Sequence, residues 1–129
     1  AEGVHVGQND LDAKRVREII GGRMILGVSA ETPEQARKAE AEGADYIGVG
    51  AMFRTSTKSD AGLVDISTLR GICSSVEIPV VAIGGISKDN LHLLKGTGIA
   101  GISVVSAIFS ADDPKKAAKE LVLRMEGVI

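Results

Sequence analysis

The sequence predicts an α/β fold in which helices cover a parallel β-sheet. Amphipathic segments with helix-start and helix-stop residues alternate with short apolar segments, as in chains built of strand–helix units. Near-continuous apolar strands are typical of parallel sheets, whose faces are covered. Right-handed crossovers would place all the strands in one sheet. The predicted strands are Gly3–Gly7, Met24–Val28, Tyr46–Val49, Val80–Ile83 and Gly101–Val105.

Capping residues mark where the predicted helices begin. We expect Asp10 to cap the first helix and Ser87 to cap the fourth. The second helix opens with Thr32-Pro33-Glu34-Gln35, which matches a capping box with proline at the first helical position, and Gly43 stops it. The third helix is predicted over Ser67–Ser75, the fourth ends at Gly96, and the last runs from Asp113-Pro114 to about Glu126.

Composition limits the classes of function. The 129 residues suit one domain, and 44% apolar residues allow a substantial core. The net charge of −2 comes without a basic stripe or an aromatic platform, which argues against a nucleic-acid partner. No apolar run approaches the ~18 residues of a membrane span. A single cysteine, Cys73, excludes an internal disulfide within this sequence and favours a cytoplasmic location.

Small and polar residues follow the predicted strands at their carboxyl ends, where parallel α/β folds bind ligands. Hydroxyls, a lysine and glycine N–H groups suit phosphate oxygens, and a carboxylate suits Mg²⁺ together with phosphate. The sequence therefore predicts a site for a phosphorylated ligand, with Mg²⁺ at Asp10. In strand order, the residues at these ends are Asp10, Ser29, Thr55-Ser56-Thr57-Lys58, Gly84-Gly85 and Ser106.

Each of these motifs also has a structural explanation that involves no ligand. Asp10 could be a helix cap, Gly84-Gly85 a turn and Ser106 a cap, and the threonine–lysine run could be a polar loop. The long connection from residue 51 to 65 favours function, since long loops without regular structure are often functional. His5 is expected to lie in a barrel interior or a packed position, and no Cys/His cluster indicates zinc.

Six ordered motifs resemble the thiamine-phosphate synthase family, and together they cover nearly the whole chain. This resemblance implies a TIM (β/α)8-barrel fold, of which the chain would contain about five strands, the fourth to the eighth. Residues 1–129 would then form a single incomplete barrel domain without its N-terminal strands. The abrupt start on Ala1 agrees with a piece of a longer protein. The motifs are Gly3–Asp10, Gly27–Thr32, Gly43–Gly50, Thr55–Lys58, Val81–Ile86 and Val104–Phe109.

The resemblance also implies a reaction and a role for each site residue. The family joins hydroxymethylpyrimidine diphosphate to a thiazole phosphate and releases pyrophosphate, through a pyrimidine cation that needs no acid–base pair. Ser29 and Lys58 would act in catalysis by holding the diphosphate, and Asp10 would be one of two Mg²⁺ ligands. The residues implied to hold the thiazole phosphate are Thr55, Thr57, Gly85, Val105 and Ser106.

Two alternatives remain beside the synthase. A thiazole tautomerase-like enzyme would share the phosphate site, but that family typically lacks the Thr-x-Thr-Lys run and uses a histidine just after Ser29, where Ala30 and Glu31 stand here. A non-catalytic phosphate-binding half-barrel is the other alternative. The resemblance implies that the strands supplying the second metal ligand are not in this chain, so we expect it to be inactive alone. Its open sheet edges could support self-association.

Departures from the family pattern are confined to short segments. Asp65 stands where a glycine is common, and Gly98-Ile99-Ala100-Gly101 replaces the usual Gly-Ala-Asp-Gly. The first of these could alter the order of the loop that carries Lys58.

Overall fold

Five parallel strands form a single sheet in the computed structural model, which describes residues 1–55 and 62–129. Each strand pairs with the next one along the chain, in the order β1-β2-β3-β4-β5. All five predicted strands are confirmed, although the last ends earlier than expected because the chain turns into a helix after it. The strands are β1 (Gly3–Val6), β2 (Ile25–Ser29), β3 (Tyr46–Val49), β4 (Val80–Ile83) and β5 (Gly101–Ser103).

Helices connect the strands, and their caps agree in part with the sequence. The Oγ1 of Thr32 accepts the backbone N–H of Gln35 at 3.2 Å, and Asp113 caps the last helix in the same way. Asp65, the departure noted above, caps the third helix by accepting the N–H of Thr68 at 2.6 Å. The helices are α1 (Ala13–Ile20), α2 (Pro33–Ala41), α3 (Ile66–Ser75), α4 (Ser106–Phe109) and α5 (Pro114–Met125), with a 3₁₀ helix over Leu91–Leu94.

The prediction that Asp10 caps the first helix is wrong. The residue at that position is Asp12, whose side chain makes no capping hydrogen bond. The Oδ2 of Asp10 instead accepts the backbone N–H of Gly7 at 2.7 Å, within the turn that leaves β1. Since α1 begins only at Ala13, its first free N–H groups lie beyond the reach of Asp10.

The predicted helix from Ser87 to Gly96 is also wrong in type, because only a 3₁₀ helix forms there. Asn90 explains the difference. Its Oδ1 accepts the N–H of Ser87 at 2.9 Å, while its Nδ2 donates to the carbonyl oxygen of Gly85 at 2.8 Å. Such local side-chain bonds compete with the regular helical pattern.

The core lies between the helices and one face of the sheet. Leu26, Ile47 and Val49 of the strands and Leu69 and Ile72 of α3 are fully buried. Alternate strand residues point to the opposite face, where Ile83 is 42% exposed. Helices therefore cover one face of the sheet and leave the other open, so the expectation from the apolar strands that both faces are covered is wrong for the described residues. Within the described ranges, no helix has the length and apolarity needed to cross a membrane.

Candidate functional site

A cavity of about 470 Å³ opens at the carboxyl ends of the strands. The segments that follow β1, β2, β3 and β4 all contribute to its lining. This is the face on which parallel α/β folds bind ligands. Its lining combines polar side chains with glycine backbone. The polar residues are Gln8, Asn9, Ser29, Glu31 and Thr55.

The cavity brings together some of the residues that the sequence singled out. Ser29 and Thr55 both line it, and so does Gly84, the neighbour of Gly85. Asp10 is absent from the described lining, to which its loop contributes Gln8 and Asn9 instead.

The remaining predicted residues have different positions. Val105 is 69% exposed and immediately precedes α4, the four-residue helix that begins at Ser106. Neither residue is among those that line the described cavity. Thr57 and Lys58 lie outside the described residues. The structure thus describes the positions of all the predicted site residues except Thr57 and Lys58.

A second cavity, of about 410 Å³, lies against the open face of the sheet. Ser29, Gly48 and Ile83 line both cavities, so the two cavities adjoin along this part of the sheet. The other residues that line the second cavity come from four strands: His5, Tyr46, Val81 and Ser103.

Three side chains on this face form a continuous hydrogen-bonded chain. The Nε2 of His5 lies 2.8 Å from the Oγ of Ser29, and its Nδ1 lies 2.9 Å from the hydroxyl of Tyr46. Burial lowers the pKa of His5, against a smaller opposing effect of the Asp10 carboxylate. A lowered pKa favours the neutral imidazole.

Two glycines make room for this chain of hydrogen bonds. In the sheet register His5 pairs with Gly27, which in turn pairs with Tyr46. A Cβ atom on Gly27 would overlap the tyrosine ring, and one on Gly48 would lie 3.1 Å from the Cε1 of His5. Sequence reasoning missed the role of Tyr46 and the partners of His5. The available signal was Gly27, a glycine within a predicted strand, because a missing side chain there leaves room for larger side chains on the neighbouring strands.

Gln8, which the sequence places just after the first strand, has a contact that the sequence did not predict. Its Nε2 donates to the backbone carbonyl oxygen of Ser29 at 2.7 Å. This bond ties the loop after β1 to the end of β2, next to the Ser29 hydroxyl.

The two glycines after β4 pack against the loop that leads to Thr55. Gly84 and Gly85 have φ angles of +98° and +64°. A Cβ atom on Gly85 would lie 2.6 Å from the carbonyl oxygen of Phe53, and the N–H of Phe53 donates to the carbonyl of Gly84 at 3.0 Å. The glycines therefore have a structural reason to be there, beyond any contact with a ligand.

Asp10 fits as one ligand of a Mg²⁺ ion. Its carboxylate is exposed, and the N–H of Gly7 holds it in place through Oδ2. The described residues contain no cluster of three or more His, Cys, Asp or Glu side chains that could hold a metal alone. Mg²⁺ commonly uses one or two carboxylates, waters and substrate phosphates, so a single carboxylate agrees with that chemistry.

Comparison with known proteins identifies the chain's relatives. The protein-family model described as "Thiamine monophosphate synthase" matches residues 1–108. A "Thiamine-phosphate synthase" from Ruminiclostridium cellulolyticum is 60% identical over 121 residues, which cover 94% of this chain and 58% of that protein. The chain thus spans somewhat more than half the length of this relative.

Solved structures agree with this result. "Thiamine phosphate pyrophosphorylase" from Pyrococcus furiosus is 43% identical and superimposes with a TM-score of 0.88, over 100% of this chain and 61% of that one. A "3-Hexulose-6-Phosphate Synthase", at 21% identity and a TM-score of 0.71 over 96% of this chain and 62% of that one, shares the fold. These TIM-barrel-like neighbours confirm the predicted fold class. Because the family model covers 108 of the 129 residues, the chain belongs to the thiamine monophosphate synthase family.

Proposed function

We propose that this chain is the part of a thiamine-phosphate synthase that forms the fourth to eighth strands of the barrel. The enzyme would condense hydroxymethylpyrimidine diphosphate with a thiazole phosphate to give thiamine phosphate and pyrophosphate. One observation carries the proposal: Ser29, Thr55 and Gly84 line a single cavity of about 470 Å³ at the strand ends. The name of the 60% identical relative from Ruminiclostridium cellulolyticum, a thiamine-phosphate synthase, supports the same reaction.

The chain's residues would act by binding and positioning. Ser29 and Lys58 would hold the diphosphate of the pyrimidine substrate. The residues proposed for the thiazole phosphate are Thr55, Thr57, Gly85, Val105 and Ser106. Asp10 would help to hold Mg²⁺, which when bound neutralises charge on the diphosphate.

The reaction needs no general base from this chain. The carbon–oxygen bond to the diphosphate breaks, and the diphosphate leaves with the bonding electron pair. The thiazole nitrogen then shares its lone pair with the resulting pyrimidine cation, so that no proton has to be removed. Catalysis would rest on positioning and on stabilising the charge of the leaving group. Ser29 and Thr55, two residues with hydroxyl groups, line the same cavity, which supports a catalytic role by binding and positioning.

The remainder of the barrel would cover the open face of the sheet. Within the described residues, β1 and β5 each pair with one neighbouring strand only, and five strands do not close an eight-stranded barrel. We propose that three preceding strands supply closure and a second Mg²⁺ ligand, that the 129-residue chain alone is inactive, and that the enzyme is cytoplasmic. A second copy pairing at the open edges is the alternative for the isolated chain.

A substitution of Lys58 tests the assignment in the full-length protein. Lys58→Ala is expected to lower kcat/KM for the pyrimidine diphosphate by roughly 100-fold or more, because a charged donor to the leaving group is lost. The Kd for thiazole phosphate, measured by calorimetry, should change little. Lys119→Ala, an exposed lysine on α5, is the matched control. Equal losses for both substrates would contradict the proposed roles.

Turnover by the full-length protein would separate the synthase from a half-barrel that only binds phosphate, and a direct titration tests what the 129-residue chain retains of the phosphate site. The 129-residue chain is titrated with thiazole phosphate, with and without pyrophosphate and Mg²⁺, and assayed for turnover. Saturable binding without turnover is expected if the phosphate site survives without the other strands. Turnover by this chain alone would refute the proposal that it is incomplete.

A further inference from the structure

Tyr46, His5 and Ser29 form a hydrogen-bonded chain on the open face of the sheet. The role that we infer for this chain rests on the proposed function. We propose that His5 and Tyr46 are positioning residues that keep the Ser29 hydroxyl as a hydrogen-bond donor toward the phosphate groups of the bound substrate. The contacts that carry the proposal are the 2.8 Å and 2.9 Å distances from the two nitrogens of the His5 ring.

The direction of these hydrogen bonds decides what Ser29 can offer to an anion. If the Tyr46 hydroxyl donates to Nδ1 of His5, the ring proton sits on Nε2 and is donated to the Ser29 oxygen. The Ser29 proton is then left for a ligand oxygen. In the opposite tautomer Nε2 would accept that proton, and Ser29 would face the anion with lone pairs.

The acidity of the phenol favours the first arrangement. A phenolic hydroxyl is a stronger hydrogen-bond donor than an aliphatic hydroxyl. A neutral imidazole accepts at one nitrogen and donates at the other. The phenol would therefore donate to Nδ1, which places the ring proton beside Ser29. A bound diphosphate would strengthen this choice, because charge-assisted hydrogen bonds to an anion are stronger than neutral ones.

The sheet holds the three groups in this arrangement. Gly27 lies between His5 and Tyr46 in the register, and its missing side chain lets their rings approach to 5.6 Å between centroids. Gly48 leaves room beside the Cε1 of His5. These two rings, packed over glycine backbone, would keep the Nε2 of His5 directed at Ser29.

The first test reads the tautomer and does not depend on activity. Nitrogen-15 NMR of the full-length protein, labelled at histidine, is expected to show the neutral ring of His5 protonated at Nε2. Tyr46→Phe should shift His5 toward a tautomer mixture and leave the exposed His92 unchanged. A wild-type His5 protonated at Nδ1 would overturn the proposal.

The second test is a double-mutant cycle on kcat/KM for the pyrimidine diphosphate. Tyr46→Phe removes one hydroxyl and keeps the ring, and we expect a loss of roughly 10-fold. In a Ser29→Ala background the same change should have almost no further effect, because the group that it positions is gone. An equal loss in both backgrounds would mean that Tyr46 acts independently of Ser29.

Conservative replacement separates positioning from mere packing. Gln at position 5 carries an amide donor that can reach the place of the ring Nε2. His5→Gln should therefore retain more activity than His5→Leu, while the two variants unfold at comparable urea concentrations. His92→Gln is the control for a histidine away from the site. If His5→Gln were no better than His5→Leu, the hydrogen bond to Ser29 would not be the function of His5.

Synthase activity of the wild-type protein and the results of the double-mutant cycle separate failure of the proposed function from failure of this inference. If the wild-type full-length protein had no synthase activity, the proposed function would fail. The same cycle would then be measured as the Kd for inorganic pyrophosphate with Mg²⁺, and additive losses there would overturn the positioning role. The NMR result decides the tautomer in either case.

Discussion

Replacing Gly85 by alanine is expected to destabilise the fold and to displace the loop that leads to Thr55. Gly85 has a φ of +64°, in the left-handed region that disfavours other residues. An added Cβ atom would lie 2.6 Å from the carbonyl oxygen of Phe53 and 2.8 Å from that of Arg54. Both contacts are with backbone atoms, so no change of side-chain rotamer can relieve them.

The two effects allow the magnitude to be worked out. A non-glycine residue in the left-handed region costs about 1–2 kcal/mol. Overpacking that forces a backbone shift costs about 1–3 kcal/mol. Gly85→Ala should therefore lower the free energy of unfolding by about 2–5 kcal/mol, a large part of the 5–15 kcal/mol typical of a folded domain.

Two other glycines separate these contributions. Gly96 has a φ of +75° but no atom within 4 Å of an added Cβ, so Gly96→Ala measures the backbone cost alone, at about 1–2 kcal/mol. Gly101 in β5 has an ordinary φ and equally open surroundings. Gly101→Ala should stabilise the protein slightly, by up to about 0.5–1 kcal/mol.

Urea denaturation of the full-length protein gives the free energy of unfolding for each variant. The expected order of stability is Gly101→Ala, wild type, Gly96→Ala and then Gly85→Ala. If Gly85→Ala cost no more than Gly96→Ala, the close approach to the Phe53 loop would not be the reason for glycine at this position.

Three further tests probe the framework of the fold, again by urea denaturation. Arg17→Ala should cost about 2–3 kcal/mol, because its guanidinium donates to three backbone carbonyls and to Asp45; a cost near zero would contradict this. The N–H of Leu26 and then Arg17 hold the pKa of Asp45 below its ordinary value of 3.8. The resulting stability is present above pH 3.8 and lost as the pH falls through the lowered pKa. Asp45→Asn should flatten that acid slope, and an unchanged slope would argue against the assignment. Thr32→Ala should cost about 1 kcal/mol, whereas Asp12→Ala, which removes no capping bond, should cost much less; equal costs would exclude capping as the cause.

Local signals account for the parts of the fold that the sequence predicted correctly. The strands were recognisable because each is a short apolar run between turn residues. Thr32 and Asp113 were recognisable as caps because a capping bond spans only three residues. The predictions for the first helix cap and for the fourth helix were wrong because a side chain there had two possible hydrogen-bond partners. Asp10 bonds to Gly7 rather than to α1, and Asn90 bonds back to Gly85 and interrupts a predicted helix.

The sequence by itself determined that Ser29, Thr55 and the glycine pair lie on one face, because parallel strands present their carboxyl ends at the same edge. It could not determine which side chains touch on the open face. The contacts of His5 with Ser29 and Tyr46 depend on the pairing of His5 with Gly27 and of Gly27 with Tyr46. A shift of one residue in that register would turn these side chains to the other face of the sheet. Only the packing of the whole sheet fixes the register, so the hydrogen-bonded chain became visible in the tertiary structure alone.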